Sequence, residues 1–103
     1  MSTLYVTEYA TVAPAQISGS LAQAPHEPPL VEQTVAIGGS SAQSSAFNAQ
    51  TAIVRLHTDS ICSVLFGTNP SAATTSARFV AGQTEYRSVP KGQSYKVAVI
   101  SNS

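Results

Sequence analysis

The 103-residue sequence predicts an all-β protein, a single small antiparallel β-sandwich of jelly-roll-like form with an extended Pro-rich N-terminal arm or loop. Three observations carry that expectation. Short runs rich in Val, Ile, Thr, Tyr and Phe recur along the chain, and most alternate apolar with polar residues, as a half-buried strand does. Gly, Pro and Asn-Pro steps separate these runs at the spacing of a sandwich. No apolar pattern follows a helical period over any length. A chain of this size makes one domain with a modest core. Residues 1–28 are expected to form an N-terminal strand and arm, and residues 29–103 the sandwich.

The first strand is expected over Thr3–Tyr9, at an edge or paired with a neighbouring subunit, with Leu4, Val6 and Glu8 on one face. Ala10–Pro29 then loses all periodicity. Pro14, Pro25, Pro28 and Pro29 remove backbone donors and hold the chain extended. Roughly twenty residues without secondary structure is long for a compact domain. The segment reads as an arm laid across a partner or as a flexible linker, and deleting residues 1–28 is expected to leave the sandwich folded. Leu30–Ile37 is the second strand, ended by Gly38-Gly39. Ser40–Ser45 is a loop, though AQSSAFNAQ (Ala42–Gln50) has room for a short helical turn, and Phe47 plugs the end of the core.

The centre of the chain is Gln50–Gly67, where the apolar runs Thr51–Leu56 and Ile61–Phe66 flank His57-Thr58-Asp59-Ser60. This predicts a β-hairpin with a Thr58-Asp59 loop, which pairs Leu56 with Ile61 and Val54 with Ser63. Both of its faces are largely apolar, so each needs cover, from a second sheet and from a further layer or subunit. Thr68–Ser76 is a polar loop begun by Asn69-Pro70. Ala77–Ala81 is a short strand, Gly82 breaks it, and Gln83–Val89 is another. Val89-Pro90-Lys91-Gly92 fits a type I turn. The closing strand, Gln93–Ser101, sets Tyr95, Val97 and Val99 against Ser94, Lys96 and Ala98.

Charge is scarce. Five basic and five acidic residues make 10% of the chain, where about 25% is usual, and they cancel. A coat of Ser, Thr, Gln, Ala and Asn loses little on desolvation, which favours life in an assembly over a monomer with a bland polar surface. Arg55, Arg78, Arg87, Lys91 and Lys96 are scattered and form no stripe to neutralise phosphates, which argues against direct nucleic-acid binding. No run is long enough to span a membrane. Met1-Ser2-Thr3 lacks the basic start of a signal peptide, so synthesis in the cytosol without an export address is expected.

The residues suggest no catalytic constellation. Nucleophilic catalysis needs a base beside a nucleophile and a third group to orient it. His57, Asp59 and Ser60 have suitable types but share one turn, where they read as solvated residues. Glu8, Glu27, Glu32, Glu85 and Asp59 are dispersed, His26 lies in the Pro-rich segment, and Gly38-Gly39-Ser40-Ser41 lacks the Lys and helix of a phosphate loop. Cys62, the lone cysteine, reads as a buried, inert thiol. No cofactor or metal is expected. The tyrosines Tyr5, Tyr9, Tyr86 and Tyr95 read either as packing residues or as a patch for a sugar or a partner.

From IVRLHTDSICSVLFG onward the chain resembles small structural proteins of tailed bacteriophages and prophages. The pieces that match are Phe66-Gly67, Asn69-Pro70, Tyr86, Val89-Pro90 and Gly92, and the LYVTEY and EQTVAIGG strands are similar as well. The resemblance implies a non-enzymatic virion component made in the host bacterial cytoplasm, foremost a capsid decoration or cement protein. Its partners would be the major capsid protein or other virion proteins, with further copies of itself in a homo-oligomer. A head–tail connector or tail component, or a carbohydrate- or cell-surface-binding sandwich, is the alternative. The residues expected to meet a partner are Tyr5, Tyr9, Pro28, Pro29, Asn69, Tyr86 and Tyr95.

Overall fold

The computed structural model describes residues 2–10, 12–14, 23–25 and 29–102. Its strands are β1 (Ser2–Tyr9), β2 (Val12–Pro14), β3 (Gln23–Pro25), β4 (Val31–Ile37), β5 (Ala42–Gln43), β6 (Ile53–Thr58), β7 (Cys62–Gly67), β8 (Ala77–Phe79), β9 (Thr84–Ser88) and β10 (Lys96–Ser101). Two four-stranded antiparallel sheets form, in the orders β4-β1-β6-β9 and β5-β10-β7-β8, and β2 pairs with β3 alone. The architecture is the all-β sandwich that the alternating runs predict, with no helix among the described residues.

The pleat explains which residues fill the core. Successive side chains on a strand point to opposite faces. Leu4 and Val6 on β1, Val35 and Ile37 on β4, and Val54 and Leu56 on β6 therefore face inward from the first sheet. Cys62 and Val64 on β7, Phe79 on β8, and Val97 and Val99 on β10 meet them from the second. Phe47 joins this cluster from the loop after β5 and stands 6.1 Å from the ring of Phe66, the core plug its position suggests. Each such side chain, once buried, contributes about 1.5–3 kcal/mol.

The predicted hairpin is not formed. β6 pairs with β1 and β9, and β7 pairs with β10 and β8, so the two runs lie in opposite sheets. Thr58–Ile61 is an arch over the edge of the core rather than a two-residue hairpin loop. Two hydrogen bonds hold the arch in place. The Thr58 hydroxyl donates to Ser60 O at 2.7 Å, and Asp59 Oδ1 accepts the Thr3 N–H at 2.8 Å, which ties the bend to β1. Two apolar runs placed across the core from one another bury each other as well as a hairpin would. The outer face of β7 is covered at Ser63 by the chain's own loop 68–76, while Leu65 stays partly open to solvent. Ser63 Oγ and Asn102 Nδ2 both donate to Thr74 O, and Gln43 Nε2 donates to Asn69 Oδ1 and Pro70 O.

Three further expectations change. β1 is an interior strand, hydrogen-bonded to β4 and β6, so residues 2–9 belong to the sandwich and not to an arm outside residues 29–103. Within the segment read as structureless, Val12 pairs with Pro25 and Pro14 with Gln23, a short antiparallel ribbon. Pro90 is followed by a turn on Lys91 and Gly92, and Gly92 takes φ +72°, one position earlier in the turn than a type I assignment allows. Gly82 does the same at φ +82° between β8 and β9, where Gln83 N–H closes the turn on Val80 O at 3.1 Å. An L-residue resists that backbone region, which is why the sequence punctuates with glycine there.

Candidate functional site

The outer face of the first sheet gathers the most chemistry. Register sets Thr34, Tyr5, His57 and Thr84 in one row across β4, β1, β6 and β9. The neighbouring row is Glu32, Thr7, Arg55 and Tyr86. Each of these side chains alternates with an inward residue, so the buried stripe fixes the outward one. Tyr5 is 44% exposed and Tyr86 53%, and they stand in adjacent rows on a face with one carboxylate and one guanidinium. The Tyr5 and His57 rings lie 6.2 Å apart at a 44° tilt, and His57 Nδ1 is 2.7 Å from Thr84 Oγ1. Hydroxyls, a ring nitrogen and two aromatic faces thus stand together on one face of the sheet.

The other residues expected at a partner interface are dispersed. Tyr9 shares the outer face of β1 with Tyr5 but is buried. Tyr95 is half-buried and packs against the core, so it does not join Tyr86 in one patch. Asn69 is exposed over the second sheet, held by Gln43. Pro29 is half-buried at the approach to β4, and Pro28 lies outside the described residues. Sequence reasoning left out His57, Thr84 and Arg55 as neighbours of the tyrosines. The signal that joins them is the pairing of β1 and β9 on either side of β6, which the hairpin reading hid.

His57 and Asp59 point apart. The imidazole lies on the sheet face against Thr84, while the Asp59 carboxylate binds the backbone of Thr3. Cys62 is buried, and that burial pushes its thiol above the ordinary range, where the thiolate is scarce. Among the described residues no three His, Cys, Asp or Glu side chains gather where they would hold a metal ion.

A second polar cluster went unnoticed in the sequence. Glu8 points inward in phase with Leu4 and Val6 and is fully buried. Its Oε1 accepts the Thr51 hydroxyl at 2.7 Å and the Asn48 N–H at 2.8 Å, and its Oε2 accepts Gln33 Nε2 at 2.9 Å. Gln33 Oε1 in turn accepts the Ser45 N–H at 3.0 Å. This network fastens the 44–51 loop to both β1 and β4. Among the described residues every buried side-chain nitrogen or oxygen has a partner, so the cluster is closed to any further ligand as it stands.

No family model matches the chain, and neither a curated protein nor a solved structure gives a significant match.

Proposed function

We propose that this protein is a structural part of a tailed-bacteriophage virion, foremost a capsid decoration or cement protein that binds the head shell and stabilises it. The observation that carries the reading is the Tyr5–Tyr86 face, two exposed aromatics among threonines on a sheet face that carries one carboxylate, Glu32, and one guanidinium, Arg55. Aromatic residues are the side chains that interfaces favour, and sparse charge keeps the desolvation penalty low. The resemblance carried by Phe66-Gly67, Asn69-Pro70, Tyr86, Val89-Pro90 and Gly92 favours a virion over other settings. The partner is then the major capsid protein or another virion protein. Weak contacts repeated by the symmetry of a shell give avidity that no single contact supplies.

The strand order supports a finer reading of the fold. Set side by side, β4-β1-β6-β9 and β5-β10-β7-β8 are the sheets of an eight-stranded jelly roll in which β1 fills the place of the last strand. The chain reads as a circular permutation of that roll. Ser2 pairs with Ile37 and the Ser101 N–H donates to Gly38 O at 2.8 Å, so β1 begins at the corner where β10 ends. Jelly rolls serve in viral capsids and in lectins, and the architecture by itself selects neither.

A second reading, a glycan- or cell-surface-binding module, draws on the row Tyr5-His57-Thr84, which sets an aromatic face beside an imidazole and hydroxyls. Quantifying the chain in purified particles separates the readings. The decoration role predicts copies on the order of hundreds per particle, as shell symmetry requires, and a shell that ruptures more easily when they are stripped. A ring's worth of copies points to a connector, and absence from particles contradicts the virion reading.

A further inference from the structure

The four edges of the two four-stranded sheets are not alike. β5 has two residues and β8 three, too short to template a partner strand. β9 is longer, but Glu85 and Arg87 point inward from it, paired to one another at 2.6 Å, with the Arg87 guanidinium over the Phe79 ring. Inward charges at an edge penalise an added strand, because pairing there would strip their remaining water. β4 has none of these defences. It runs seven residues, Val31–Ile37, without Pro, Lys or Arg, and among the described residues its backbone pairs only with β1.

We propose that β4 is the docking edge for a second copy of this chain, which adds its own β4 antiparallel about a two-fold axis at Thr34. The strand is self-complementary in that register. Val31 then faces Ile37, Gln33 faces Val35, Glu32 faces Ala36 and Thr34 faces its own copy. It is the one antiparallel register that uses all seven residues. No like charges oppose one another, and the two Glu32 carboxylates lie about 14 Å apart, beyond the ~8 Å screening length of physiological salt. The exposed Leu30 comes opposite Gly38, where a Cβ would meet open space, so the leucine has room to settle. Cross-strand Thr–Thr and aliphatic pairs are favourable neighbours.

The product is one continuous eight-stranded sheet, β9-β6-β1-β4 joined to its copy. Register by an even sum keeps both outer faces on the same side, so two Tyr5–Tyr86 surfaces come to lie on one side of a twisted sheet. The inference goes beyond the virion reading and does not depend on it.

Sedimentation equilibrium of the full chain tests the proposal. Wild type is expected to dimerise reversibly at micromolar concentration. Thr34→Lys puts two ammonium groups face to face on the axis and is expected to weaken dimerisation by at least about tenfold, with an unchanged far-ultraviolet spectrum because Thr34 is exposed. Mixing Thr34→Lys with Thr34→Glu is expected to restore a mixed dimer. Ala36→Glu, which would oppose Glu32 of the second copy, provides the same test should Thr34→Lys fold poorly, and Ala36→Lys is expected to tighten the dimer. A wild type that stays monomeric to roughly a millimolar, an affinity too weak for a stable dimer, overturns the proposal. So does undiminished dimerisation of Thr34→Lys, or failure of the lysine and glutamate variants to pair.

Discussion

The Thr51 hydroxyl donates to Glu8 Oε1 at 2.7 Å across the closed end of the sandwich, and neither side chain is reached by solvent. A strand that begins the chain is thereby fastened to the loop that leads into β6. A buried carboxylate persists only where hydrogen bonds replace its lost water, and here three donors do so.

Replacing Glu8 therefore has a graded effect. Glu8→Ala leaves the Asn48 N–H, the Thr51 hydroxyl and one Gln33 amide without an acceptor, and about 3 kcal/mol of stability is expected to go. Glu8→Gln keeps an acceptor for the first two but sets an amide donor against Gln33, for a loss of about 1–2 kcal/mol. Urea unfolding midpoints measure both. Equal losses would mean that the network is not fastened through the carboxylate.

The arch between β6 and β7 is tested by a pair of substitutions. Val54 faces the core from the first sheet, so Val54→Asp buries an unpaired charge and is expected to prevent folding, at a cost comparable with the whole stability of a small domain. Leu65 is 43% exposed on the outer face of the second sheet, and Leu65→Asp is expected to cost about 1–2 kcal/mol and to leave the protein folded. Circular dichroism and thermal melts read the contrast. A folded Val54→Asp protein contradicts the sandwich.

The proposed permuted jelly roll predicts that β1 can be moved but not removed. Linking residue 102 to residue 2 and opening the chain between residues 15 and 22 is expected to preserve the fold, because β10 ends at the corner where β1 begins. Deleting residues 1–9 removes Leu4, Val6 and Glu8 together and is expected to unfold the domain. A deletion with an unchanged melting transition would show that β1 lies outside the cooperative unit.

Cys62 contributes a pH dependence of defined sign. Burial holds its thiol above the ordinary range, with the nearby Asp59 charge adding and the Thr58 hydrogen bond opposing. Below about pH 8.5, the usual thiol value, the native and unfolded chains both keep the proton, and this contribution is fully present. As the pH rises further the unfolded chain releases the proton first, so stability is lost progressively up through the raised native value. Comparing urea midpoints of wild type and Cys62→Ala between pH 7 and pH 10 isolates the effect. Wild type is expected to lose more, and equal losses would contradict the burial account.

The sequence was most legible where alternation has one reading. LYVTEY placed Leu4, Val6 and Glu8 on one face, and the structure buries all three. The carboxylate's burial was in phase but against its chemistry, and only the distant donors Thr51 and Asn48 make it tolerable. The step His57-Thr58-Asp59-Ser60 was misread because an arch and a hairpin loop use the same residue types. What separates them is the partner each strand finds, and those partners, β1 for β6 and β10 for β7, are remote in the chain. The dispersal of Tyr95 and Asn69 away from Tyr5 and Tyr86 has the same origin, since a face is assembled from register and not from spacing.

The proposed role on a virion head, exerted through the Tyr5–Tyr86 face, is tested most directly by binding of the protein to purified heads that lack it. Tyr5→Ala combined with Tyr86→Ala removes two half-exposed rings and is expected to cost about 1–2 kcal/mol of stability, leaving the protein folded, while occupancy on the heads falls at least about tenfold. Full occupancy by the folded double variant would contradict the account.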